Sequence, residues 1–93
     1  MKISIKDSFR NRLLNQVEYI AQDSPRAARR FHQNIFKSIR DIAKNPYQCR
    51  KSIFFDDANI RDLIFKGYVI VFRINKNEIE VFGFVKYQTK PYD

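Results

Sequence analysis

Ile3 and Ile5 alternate with Lys2, Ser4 and Lys6, a two-residue period that predicts a short first strand with one covered face. From Phe9 the period lengthens to that of a helix. Phe9, Leu13, Val17 and Ile20 form one apolar stripe, with Asp7 or Ser8 as the cap, while Arg10, Arg12, Asn15, Gln16 and Glu18 face elsewhere. After a short Ala21-Gln22-Asp23 link, Ser24 and Pro25 open a second helix: serine is a good N-cap, and proline suits the first helical position, where its missing N–H costs nothing. Its stripe is Ala28, Phe31, Ile35, Ile39 and Ile42, ended by Asn45-Pro46. Two helices so closely joined predict an antiparallel hairpin.

Beyond Ile60 the pattern changes again. The segments Ile60 to Lys66, Tyr68 to Ile74 and Glu78 to Lys86 are rich in Ile, Val, Phe and Tyr and read as three strands. Gly67 permits a tight reversal between the first two, and Asn75-Lys76-Asn77 supplies a hairpin loop in which Asn tolerates positive φ. Tyr68 to Phe72 is apolar on both faces, so this strand is expected at the centre, with helices over one side and a loop or partner over the other. Glu78 and Glu80 mark an exposed edge face. Tyr47 to Asn59 reads as a linker within the domain, a lid or partly ordered loop carrying Arg50, Lys51, Ile53-Phe54-Phe55 and Asp56-Asp57. The expected fold is α+β in the order β-α-α-β-β-β, a helical hairpin packed on a mostly antiparallel sheet.

With 93 residues at 44% hydrophobic, the chain makes one domain, residues 1–93, with a single thin core. Nine Phe and five Tyr supply much of its volume, so no cofactor is needed to explain its stability. Cys49 stands alone, which excludes an internal disulfide and a thiolate cluster and fits a reducing cytoplasm. The first residues lack the apolar run of a signal peptide, and the longest apolar run is too short to cross a bilayer. A soluble cytoplasmic protein without membrane association is therefore expected.

Charge changes the picture more. From Ser24 to Lys51 there are eight basic residues against Asp41 alone, so this segment carries +7 of the chain's net +8. Arg26, Arg30, Gln33, Lys37, Arg40 and Lys44 recur at three- and four-residue steps opposite the apolar stripe and form a basic ridge. Ordinary surfaces mix their signs. The ridge therefore reads as charge presented to another macromolecule, either nucleic acid or an acidic protein whose apolar anchors would meet Phe54 and Phe55.

Several stretches carry a family resemblance: Tyr19 to Phe31 at the helical hairpin, Asn45-Pro46 after it, Ile60-Arg61-Asp62-Leu63, and Gly67 to Ile74. In these the chain resembles the RelE/ParE superfamily of type II toxins, and its ParE-like branch in particular, over nearly its whole length. The resemblance implies the toxin of a plasmid-stabilisation or addiction module, held inactive by an acidic antitoxin encoded beside it. ParE members poison DNA gyrase, whereas RelE-like members cleave mRNA on the ribosome. The resemblance thus implies a gyrase-binding toxin without bond-breaking chemistry, with a ribosome-dependent endoribonuclease or a non-toxic antitoxin-binding module as alternatives.

RNA cleavage by a 2′-OH needs a proton acceptor, positive charge on the phosphate and a proton donor. Where many nuclease relatives have Arg after the Gly-Tyr of the third strand, this chain has Val69; where many have a His or Arg pair after the last strand, it has Lys86-Tyr87-Gln88-Thr89-Lys90. A substitute nuclease set is Arg61, Arg73, Lys86, Tyr87, Lys90 and Tyr92, although Arg73 also reads as a strand residue paired with Glu80. His32 reads as a packed imidazole at the edge of the helix's buried face. Cys49 reads as structural, because no triad can be drawn around it. Asp56-Asp57 reads as a solvated loop, since two adjacent carboxylates without a third ligand make no metal site.

Overall fold

The computed structural model describes residues 1–86, and within them the chain forms two helices on one face of a five-stranded sheet. Strand β1 (Lys2–Ile5) leads directly into α1 (Asp7–Asp23), followed by α2 (Pro25–Ile42) and a 3-10 turn at Pro46–Gln48. Strands β2 (Arg50–Lys51), β3 (Ile60–Phe65), β4 (Tyr68–Asn75) and β5 (Glu78–Lys86) complete the sheet in the order β1-β5-β4-β3-β2. All pairings are antiparallel except that of β1 with β5. This is the α+β arrangement expected from the alternation of periods.

Four local expectations need correction. The helix break is Ser24 alone, because α1 runs through Asp23; Pro25 disfavours helical geometry at the residue before it, and Ser24 is extended at φ −154°. Ser24 still caps α2, its Oγ accepting from the N–H of Ala27 at 3.1 Å. Neither Asp7 nor Ser8 caps α1: the cap is Lys6, which makes no side-chain bond, and Ser8 Oγ instead donates to the carbonyl of Phe82 at 2.7 Å. Glu78 and Glu80 do not mark an edge, since β1 pairs beyond them and so takes the edge position. Finally, Lys76 adopts positive φ (53°) in the last hairpin where an Asn was expected to, while Lys66 and Gly67 (φ 85°) form the reversal between β3 and β4.

The core lies between helices and sheet. Phe9, fully buried, sets its ring edge-on to Phe84 (5.7 Å) and Phe36 (6.3 Å), and Ile35 and Ile39 of α2 join Phe72, Ile70, Ile79 and Val81 of the sheet. Of the predicted stripes, Phe9, Leu13, Ala28, Ile35, Ile39 and Ile42 are buried, while Val17 and Phe31 pack partly buried against the core. Each fully buried Phe, Leu or Ile side chain among them stabilises the fold by about 1.5–3 kcal/mol.

The other face of the sheet holds a second, smaller cluster, Ile60, Val69 and Val71, flanked by Phe82 and Val85. It confirms that β4 is apolar on both sides because both sides are covered. Here the cover is the segment between β2 and β3.

Candidate partner-binding surfaces

Helix α2 turns its apolar stripe inward, so the intervening positions Arg26, Arg30, Gln33, Lys37, Arg40 and Lys44 face solvent, all of them exposed. Lys37 makes a long ion pair with Asp41 one turn on (3.7 Å), both side chains well exposed. Among the described residues no acid pairs with Arg26, Arg30, Arg40 or Lys44. An exposed pair such as Lys37–Asp41 contributes about 0–1 kcal/mol, so the ridge does little for stability and its field is directed outward.

The expected linker at Tyr47 to Asn59 is held by two neighbouring side chains of β3, the buried Asp62 and the half-buried Arg61. Asp62, in the middle of β3, is fully buried; its Oδ2 accepts from Arg50 Nε (3.3 Å) and Nη2 (3.2 Å) and from the N–H of Ile53 (3.1 Å). Arg61, pointing the other way, donates to the carbonyls of Ala58 (2.9 Å), Cys49 (3.0 Å) and Tyr47 (3.3 Å) and lies over the Tyr47 ring. Ser52 Oγ accepts from the N–H of Phe54, and Asp57 Oδ1 from that of Asn59. So tied, the segment forms β2 and then crosses the sheet, setting Phe55 edge-on against Phe82 at 5.7 Å.

Phe54 and Phe55 nevertheless stay 45% exposed. With Phe82, Gly83, Val85 and Arg12 they line a cavity of about 320 Å³ on this face. The structure thus puts the proposed docking residues on two separate surfaces, the α2 ridge over one face of the sheet and the Phe54/Phe55 pair over the other.

Of the alternative nuclease residues, the structure describes Arg61, Arg73 and Lys86. Arg61 is spent on loop carbonyls beside the 3-10 turn. Arg73 lies opposite Glu80 in register, as expected for a strand pair, yet its guanidinium stacks over Phe82 (5.9 Å) and no ion pair forms between them. Lys86 ends β5 on the helix-facing side, opposite Tyr68. Tyr87, Lys90 and Tyr92 lie outside the described residues.

His32 is exposed on α2 and its ring packs at 4.8 Å on Phe36. Cys49 is half-buried, and burial pushes its thiol up from the ordinary range, so it is a poor nucleophile near neutrality. Asp56 and Asp57 are exposed, and Asp57 is engaged in the turn that leads into β3.

Sequence reasoning missed the Asp62 anchor. The signal was an acid in the middle of the apolar β3 pattern, with Arg50 and Lys51 upstream to meet it.

A helical hairpin on a mostly antiparallel sheet, with a strongly basic second helix, defines a small cationic protein of the RelE/ParE fold. The chain matches the model for the ParE toxin of type II toxin-antitoxin system, parDE, over residues 3–91, and it belongs to that family. It is therefore a type II toxin-antitoxin toxin by family. Curated proteins provide no match. Among the described residues no helix is long and apolar enough to cross a membrane.

Proposed function

We propose that the protein inhibits DNA gyrase by binding it and is neutralised by a cognate acidic antitoxin. The observation that carries this reading is the α2 ridge: four exposed basic side chains without an acidic partner among the described residues, on a chain of the ParE family. Cationic charge left unpaired on a rigid helix raises the encounter rate with an acidic surface without weakening the fold. Binding is favoured over mRNA cleavage because Arg61 is engaged in three backbone contacts and Arg73 is stacked on Phe82, which leaves neither poised beside a shared phosphate position.

The direct test is supercoiling by purified gyrase with and without the protein. Inhibition at micromolar toxin, relieved by an acidic partner, is expected. Unchanged supercoiling together with new cuts in mRNA from translating ribosomes, read by primer extension, would replace this reading with the nuclease one.

A further inference from the structure

None of the large apolar side chains exposed among the described residues lies on α2; apart from Met1 and two on α1, they are Tyr47, Ile53, Phe54, Phe55 and Ile64, all between the 3-10 turn and the end of β3. What α2 turns to solvent is charge. Arg26, Arg29, Arg30, Lys37 and Arg40 stand exposed against Asp41 alone, with Lys44 just past the helix end at Ile42. Such charge steers any acidic surface from a distance, but a stable contact between proteins is built on an apolar and aromatic core inside its polar rim. The solvent face of α2 has none to offer. A nucleic acid makes the opposite demand, since cations meet its phosphates in an interface more polar and more positive than one between proteins.

The packing beneath holds the charges in a row. Ile35 and Ile39, fully buried, and Ala28, 3% exposed, fix α2 on the core, so the cations above them are set out along a rigid axis. Arg26 to Arg40 spans about 21 Å of that axis, the length of about six base pairs of duplex DNA. Arg26, Arg30, Arg40 and Lys44 join no ion pair among the described residues, and so give up no acidic partner on meeting a phosphate. A single strand is the poorer fit. It binds by stacking its bases, and α2 leaves no Phe or Tyr exposed for them, while the His32 ring already packs on Phe36.

We propose that the row Arg26, Arg30, Arg40 and Lys44 is a phosphate track that binds duplex DNA along its backbone, apart from the apolar open face. The choice of DNA over an RNA duplex rests on the reading that the target is gyrase, an enzyme that holds a DNA duplex beside any protein bound to it.

The test is a fluorescence anisotropy titration of a labelled DNA duplex of about twenty base pairs with the full chain, repeated between about 50 and 200 mM salt. Saturable binding is expected, its logarithm falling against that of salt with a slope of about −3 to −4, as four phosphate contacts require. The pair Arg40→Gln/Lys44→Gln should flatten the slope by about two, and Arg26→Gln or Arg30→Gln, at the other end of the row, by about one each. Glutamine is nearly as good a helix former as the residues it replaces, so the fold is kept, and urea curves check it. The charge-matched pair Lys2→Gln/Lys76→Gln, exposed at the start of β1 and in the β4–β5 turn, should leave the slope unchanged. Equal flattening by the two pairs would reduce the interaction to bulk charge and overturn the proposal. Absence of duplex binding, or tighter binding of a single strand or of an RNA duplex of the same sequence, would also overturn it. Supercoiling by gyrase is assayed separately: inhibition without duplex binding removes the track alone, and duplex binding with gyrase unaffected supports the track while the target reading fails.

Discussion

The two faces of the sheet use the same residue type in opposite ways. On the helix-covered face Phe9, Phe72 and Phe84 are sealed in with Ile35 and Ile39, their rings meeting edge to edge or packing on aliphatic side chains. On the open face Phe54 and Phe55 lie over a cluster of only three buried residues and leave nearly half their surface in water. The first face carries the stability of the fold. The second keeps apolar surface accessible, which a small monomeric protein rarely does without a use for it. The difference comes from what supplies the cover: two helices bring rows of side chains, whereas a loop brings a few rings and must be anchored through its backbone.

The largest test of this division is Phe9→Ala. It removes a fully buried ring from the junction of α1, α2 and β5, and a loss of about 3–5 kcal/mol is expected in urea unfolding. A loss below about 1 kcal/mol would mean that the helices are not the stabilising cover.

Next is Asp62→Ala, which acts on the open face through its anchor. The change leaves Arg50 and the N–H of Ile53 without their acceptor; because the Arg50 side chain is 40% exposed, water replaces part of what is lost. About 2 kcal/mol is the expected cost, with hydrogen exchange speeding up at Ile53 and Phe54 ahead of the β4 amides. Uniform acceleration across the sheet would show that the segment is an integral part of the core instead of a tethered cover. Ser24→Ala belongs to the covered side and should cost about 1 kcal/mol, by removing the single side-chain bond at the start of α2.

How far these features were legible in the sequence depends on the range of the interactions behind them. The stripe Ala28, Ile35, Ile39 and Ile42 and the double-sided strand Tyr68 to Phe72 follow from local periodicity, which packing obeys, and the Ser24-Pro25 start follows from capping chemistry within four residues. The pairing of β1 with β5 joins Lys2 to Glu78, and the Phe82 carbonyl that claims Ser8 is 74 residues away from it. No local signal reports such bonds, so Ser8 read as a cap and Glu78 as an edge. The candidate site was legible in part for the same reason: the α2 ridge is a helical period of charges, whereas the fate of Arg61 was decided by three carbonyls of a segment with no period at all.

The smallest expected effect belongs to Phe54→Ala, and it sharpens the comparison most because the substitution is the same as at Phe9. The ring is 45% exposed and its backbone N–H keeps its bond to Ser52 Oγ, so little is buried and no polar group is orphaned. Stability should change by about 0.5 kcal/mol. If the open face is a docking surface, affinity for an acidic partner should fall by more than stability does, since a ring that packs only when a partner arrives contributes to the complex and hardly to the free chain. Calorimetric titration of the variant and the parent against the same partner, alongside their urea curves, measures both changes. A stability loss approaching that of Phe9→Ala, with affinity unchanged, would mean that the rings of the loop are core after all and that the two faces do not divide the work.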